Sequence, residues 1–114
     1  MSRLDWSKIQ REFAEVVNMT ASEIEDWLAT PSSRAVGWKG QDGKAPESVG
    51  HASGRRIVEI LRKEKHQLSA DDYAHMRKVV GFVRRHRAQR PENIYTSKWR
   101  YSLMNWGHDP LKGG

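Results

Sequence analysis

Apolar residues return every three or four positions along most of this chain. In LDWSKIQREFAEVVNM, residues Trp6, Ile9, Phe13, Val16 and Val17 share one helical face. The spacing predicts a first helix with Asp5 as its N-cap and an end near Asn18. A second, short helix should start near Ala21, where Thr20 and Glu23 have capping-box spacing. Ile24, Trp27 and Leu28 form its apolar side, and Thr30 before Pro31 should stop it. The stretch 31–47 reads as one long loop, rich in Gly, Pro and Ser. A third helix lies within about 49–66. Ser69 and Asp72 repeat the capping-box spacing and open a fourth, running to Arg90 before Pro91. Thr96 can cap a short last helix that ends at Gly107, a residue suited to a left-handed C-terminal cap. Residues 111–114 read as a flexible tail.

No segment alternates with period two, and no hairpin signal separates two strand-like runs. The expected class is therefore all-α: a single domain over 1–110, with about five helices. The chain has 114 residues, 37% of them hydrophobic, which is enough for one modest core. No run approaches about 18 apolar residues, and the N-terminus lacks an apolar signal-peptide core. A soluble, cytoplasmic protein with no membrane partner is expected. Cysteine is absent, so disulfides and thiolate metal sites are excluded.

Charge changes the picture more than composition does. The net charge is +6. Residues 1–53 carry 6 Lys+Arg against 8 Asp+Glu, residues 54–90 carry 11 against 4, and residues 91–114 carry 3 against 2. The basic character sits in the third and fourth helices. That favours an acidic partner such as nucleic acid or an acidic protein.

On the fourth helix, Met76, Val79, Val80 and Val83 fall in one arc of about 100° and should face the core. Ala74, Gly81 and Ala88 form a narrow small-residue stripe elsewhere. Arg77 and Arg84 flank it on one side, Lys78 and Arg85 on the other. Such a smooth groove between cationic rows would admit a phosphate backbone or an acidic helix; alternatively, a neighbouring helix fills it. Arg87 and Arg90 continue the apolar arc, which suggests that the helix outruns the core. On the third helix, Ile57, Val58 and Leu61 face inward. Arg55 and Arg62 make one outward row and Arg56 and Lys63 another, with Glu59 placed to pair with Arg62 or Lys63.

The start of that third helix, ESVGHASGRRIVEIL, admits two readings. With Ser53 as N-cap, Gly54, Arg55 and Arg56 occupy the first turn, where cations oppose the helix dipole unless an anion sits there. With Ser48 as N-cap, Gly50 and Gly54 fall inside the helix on the side of Ile57 and Leu61, as close-packing contacts. The wheel favours the second reading, and P-loop spacing is missing.

Other chemistry is thin. His51, His66, His75, His86 and His108 show no metal-ligand spacing, and no nucleophile motif occurs. No enzyme activity, metal or cofactor is expected. A helix-turn-helix through KEKHQLSADDYAH would begin its second helix with Asp71 and Asp72, which repel phosphates. Trp6 and Trp27 suit the core, and Trp99, Leu103 and Trp106 form a docking stripe. Trp38 stands among glycines in the loop. Its apolar ring favours folding back over the core. Exposed beside Lys39, it would stack on a base or anchor a protein.

The strings VNMT (Val17–Thr20), WLAT (Trp27–Thr30), SVGHASGRRIVEIL (Ser48–Leu61), HMRKVVGFVRRHRAQRP (His75–Pro91) and TSKWRYSLMNWGHDP (Thr96–Pro110) span nearly the whole chain. Together they resemble a bacterial domain family of unknown function, some members of which are labelled DNA-binding. That family has no assigned catalytic residues, so the resemblance implies no residue's role. From the residues themselves, the expected function is nucleic-acid binding, to duplex DNA without sequence preference. Phosphate contacts come from Arg55, Arg56, Arg62, Lys63, Arg77, Lys78, Arg84, Arg85 and Arg87, with Trp38 beside them. The competing expectation is an interaction module that takes an acidic protein on the same face or through Trp38.

Overall fold

A computed structural model describes residues 3–94 and 97–112, with the backbone alone at residues 3 and 4. It is all-helical, with six α-helices and no strand among the described residues. They are α1 (Arg3–Val16), α2 (Ala21–Leu28), α3 (Pro31–Ala35), α4 (Val49–Leu61), α5 (Ala70–Arg87) and α6 (Lys98–Asn105). A single 3-10 turn, Lys65–Gln67, lies between α4 and α5.

Local chemistry accounts for most of the boundaries. Asp5, expected as a cap, sits instead in the first turn of α1, where a carboxylate also favours the helix dipole. Thr20 and Glu23 form the expected capping box at 2.9 and 3.1 Å. So do Ser69 and Asp72, at 3.0 and 3.1 Å.

The expected loop over 31–47 needs correction. Pro31 does stop α2, but it also occupies the first turn of α3, where a missing N–H costs nothing. The Thr30 hydroxyl accepts from the Ser33 N–H at 3.1 Å and caps that helix. The irregular segment is therefore 36–48, and the described residues form six α-helices where about five were expected. Thr96 lies outside the described residues; Ser97 caps α6 and accepts from the Arg100 N–H at 3.1 Å.

The helices pair as α1 along α5 and α2 along α4, and the short α6 touches α2, α3, α4 and α5. Ile24, Ile57, Val79, Val83 and Leu103 are fully buried at the shared centre. Leu61 departs from its expected inward face and is exposed; Ile60 is buried in its place. α4 begins at Val49, with the Ser48 hydroxyl accepting from the His51 N–H at 3.1 Å. Its glycines are close-packing contacts, as the wheel suggested. A Cβ on Gly50 would lie 2.9 Å from Trp106 Nε1, and one on Gly54 would lie 2.6 Å from the Asn105 carbonyl oxygen.

The end of α6 closes the fold. Gly107 has φ +80°. The His108 N–H reaches the Leu103 carbonyl and the Gly107 N–H the Met104 carbonyl, each at 3.0 Å, which is a Schellman termination. The Gly107 carbonyl then accepts from the N–H groups of Asn18 and Met19 at 3.1 and 3.2 Å, at the α1–α2 junction. Asn18 and Asp109 exchange two further bonds at 2.8 and 2.9 Å. Lys112 reaches back to the Asn18 carbonyl and to Glu23; Gly113 and Gly114, the rest of the expected tail, lie outside the described residues.

Asn105 is fully buried. Its Oδ1 accepts from Trp27 Nε1 at 2.7 Å and from the Ser33 hydroxyl at 2.5 Å, and its Nδ2 donates to the Ser33 carbonyl at 3.1 Å. Asn105→Ala is expected to lower unfolding free energy by about 2–4 kcal/mol, because two buried donors lose their acceptor. Gly54→Ala should lower it by about 1–3 kcal/mol, since the methyl meets the Asn105 backbone carbonyl, which cannot swing aside, as well as the Leu28 side chain. Urea denaturation measures both. A loss under about 0.5 kcal/mol for either would contradict the packing described.

Candidate nucleic-acid interface

The nine expected phosphate-contacting cations do not form one continuous surface. Five are held by carboxylates. Arg55 binds Glu47 through Nε at 2.8 Å and Nη2 at 2.5 Å. Arg56 and Lys63 converge on Asp72 at 3.0 and 2.7 Å. Arg62 pairs with Glu25 of α2, and no ion pair joins Glu59 to Arg62 or Lys63. Arg84 pairs with Glu12 of α1 at 2.6 Å.

Asp72 explains why two of these cations are committed. Its side chain is only 2% exposed, and a buried carboxylate without partners is strongly disfavoured. Burial alone would raise its pKa. Lys63, the Ser69 N–H and Arg56 together outweigh burial and hold it well below the usual carboxylate range. Arg56 and Lys63 therefore join α4 to the first turn of α5 rather than stand free.

Glu47 answers the question raised by the start of α4. The Arg55 guanidinium, with His51 beside it, lowers the Glu47 carboxyl to about 2. His51 presents its Nδ1 to Glu47 and its Nε2 to the Leu28 carbonyl at 2.8 Å. The chain thus supplies its own anion beside this helix start.

Arg77, Lys78, Arg85 and Arg87 are exposed and have no carboxylate partner among the described residues. They lie on α5. The small-residue stripe does not divide them as a bare groove, because each row borders a different cleft. Arg77 and Arg84 face α1 across a groove that also holds Asp5, Lys8 and Glu12. Acidic groups therefore temper that side. Lys78 and Arg85 face the loop before α4. At the stripe, the Arg85 guanidinium lies over Gly81, with Nη1 only 2.9 Å from where a Cβ would be. This is the snorkelling arrangement, in which the arginine covers the small residue.

The second cleft was not apparent in the sequence. It runs between α4 and α5, with Trp106, the cap residue at the end of α6, as its floor. One half, about 420 Å³, is lined by Ser53, Arg55, Arg56, His75 and Lys78 among others. The other, about 360 Å³, is lined by Trp38, Phe82, Arg85 and Trp106 among others. Val49, Lys78 and Trp106 line both. The aromatic floor is a ladder: Phe82 stacks on Trp106 with centroids 4.3 Å apart, His75 lies on Trp106, and His86 lies between Phe82 and Trp99. The 75, 82, 86 spacing on α5 was the available signal, but a wheel cannot show that α6 presents Trp106 to it.

Trp38 does not fold back. It is 63% exposed, and its carbonyl accepts from the Val49 N–H at 2.9 Å, which fixes the loop at the cleft mouth. The other four tryptophans each pack against another ring.

Ser53 Oγ and His75 Nε2 share a hydrogen bond at 2.9 Å. Ser53 is buried within α4, where the backbone N–H groups are taken by helical bonds, and no described carboxylate bonds the other His75 nitrogen. The pair lacks the orienting group and oxyanion donors of a hydrolytic site. No described group of three or more His, Asp or Glu could hold a metal ion. No described helix is long and apolar enough to cross a membrane.

The model of a family described as "Protein of unknown function (DUF3140)" matches residues 12–104. The chain belongs to the DUF3140 family. No curated protein and no solved structure matches it. The DUF3140 match takes in all nine cations, Trp38 and the ladder's His75, Phe82, His86 and Trp99, and stops before Trp106 and the Gly107 turn.

Three histidines are expected to make this DUF3140 chain sensitive to acid. Burial pushes the His75 imidazole down, and Arg56 and Lys78 push it the same way. Burial likewise lowers His86 and His108, the latter despite its bond to the Val16 carbonyl. Unfolded, each would titrate near about 6.5, so the unfolded chain binds protons first as pH falls. Stability should be full above about pH 7 and decline as pH drops through 6.5 toward the folded values. Glu47 and Asp72, whose folded pKa values are depressed, add their own loss only below about pH 4. Tm is expected to fall from pH 7.5 to 6.5 and again to 5.5; a constant Tm across that range would contradict it.

Proposed function

We propose that this protein binds nucleic acid, duplex DNA in the first instance, through backbone phosphates held by α5. The observation that supports this reading is the set of exposed α5 cations, Arg77, Lys78, Arg85 and Arg87, left without carboxylate partners among the described residues while their neighbours are paired. Unpaired guanidinium groups keep their donors for phosphate, which they bind in bidentate fashion. Arg55, Arg56, Arg62, Lys63 and Arg84 belong to the surrounding field rather than to the first contacts. Nothing in the row of cations reads base edges, so the binding is sequence-independent. The bacterial origin and DNA-binding labels of the family resemblance, and a cytoplasmic location, are consistent with this proposal and remain part of it.

An acidic protein on the same face is the competing reading. Random-sequence duplex DNA should bind with an affinity that falls steeply with salt. With four phosphates engaged, the slope of log K against log salt is about −3 to −4. Arg85→Ala should make that slope shallower by about one. Arg62→Gln, which removes a cation already paired to Glu25, should leave it unchanged. Binding that is indifferent to salt, or an Arg85→Ala slope equal to wild type, would overturn the reading. So would polyglutamate competing as well as DNA at equal charge.

A further inference from the structure

The apolar half of the α4–α5 cleft has no role in a purely phosphate-reading surface. It is about 360 Å³, at the small end of ligand pockets. Phe82 and Trp106 form its floor and Trp38 stands at its mouth, while Lys78 and Arg85 hold the rim. The lining is mostly apolar, yet its two charged heads are cations without a carboxylate partner among the described residues. The occupant that complements both features is flat, apolar on its faces and anionic at its edge.

Resting on the proposed phosphate binding, we infer that this cleft takes an unpaired nucleobase, so that the preferred ligand is single-stranded nucleic acid. The base stacks beside Trp38 and the flanking phosphates meet Lys78 and Arg85. Stacking platforms beside cationic grooves are the general means of holding single strands, and they tolerate any base because every base has a π-face. A duplex offers no such face, since its bases are already stacked and paired. Size argues against a protein occupant. An amphipathic helix anchors side chains at i, i+3, i+4 and i+7 along an extended groove, whereas the apolar half of this cleft, about 360 Å³, is on the scale of one flat ring system.

Trp38 is suited to the role by how it is held. Four of the five tryptophans are packed against other rings, so the fold already uses them. Trp38 alone is left 63% exposed, yet its backbone is tied to the first turn of α4 by the bond to the Val49 N–H. An exposed ring carried on a tethered backbone loses less freedom on stacking than one on an untethered loop, which favours binding. No described ring packs against it, so its removal leaves the core intact.

The test uses the full chain and three ligands of equal length at low salt: oligo-dT, an abasic strand with the same phosphates, and duplex DNA. Oligo-dT should bind about tenfold or more tighter than either of the others. Trp38→Ala should remove most of that advantage while leaving abasic and duplex binding unchanged, and Trp38→Phe should restore most of it. Thermal melting checks that the variants remain folded. If oligo-dT and the abasic strand bind equally, or if Trp38→Ala weakens all three alike, the base pocket is refuted and phosphate binding stands. If none of the three binds, both readings fall. An acidic, aromatic peptide that displaces oligo-dT at equal concentration would also overturn the base assignment.

Discussion

The carboxamide of Asn105 is the contact on which the arrangement of helices depends. It is fully buried and is bonded to α2 through Trp27 and to α3 through Ser33. Its own backbone carbonyl lies against Gly54, so α4 can approach α6 only where it has no side chain. Two residues later the left-handed turn at Gly107 delivers a carbonyl to the α1–α2 junction. One end of a short helix thus sets the positions of four others. A buried amide has no water to replace a lost partner, so these contacts form together. The cleft inherits its shape from this, because the same α6 residues set Trp106 beneath the gap between α4 and α5.

The fold also decides which charges are available. Eleven cations between residues 54 and 90 look alike in the sequence. Burial of Asp72 recruits two of them, and Glu12, Glu25 and Glu47 recruit three more. What remains on the outer side of α5 is smaller than the composition suggests, but two of those cations, Lys78 and Arg85, stand at the edge of the aromatic cleft. Cations near an apolar, ring-lined gap differ from the same cations spread over a solvated face. Only the former can bind the edge and the face of one ligand at once.

Several features were legible because their causes are local. The capping boxes at Thr20 and Ser69 involve groups three residues apart, so the sequence alone locates those helix starts. The same holds for the Gly107 cap and for the start of α4 at Val49, where the glycine positions on the wheel already implied close packing. The all-α class follows from the periodicity itself. α3 was the exception among the elements. Pro31 marks an end and a beginning equally well, and five residues are too few to show a period.

The site was legible only in part, and for a different reason. A wheel gives the direction in which a side chain leaves its helix, but not what stands opposite. Arg62 meets Glu25 across 37 positions and Arg56 meets Asp72 across 16. Trp27 meets Asn105 across 78. Glu59, the near neighbour, forms no ion pair with Arg62 or Lys63. The exposure of Trp38 likewise depends on where α4 and α6 leave room. By itself, the sequence determined the helices, their caps and the concentration of positive charge, because hydrogen bonds within a turn and repeating apolar spacing act over a few residues. The tertiary structure alone decided which cations stay unpaired and that an aromatic cleft lies beside them. Those outcomes depend on residues far apart in the chain competing for the same buried partners.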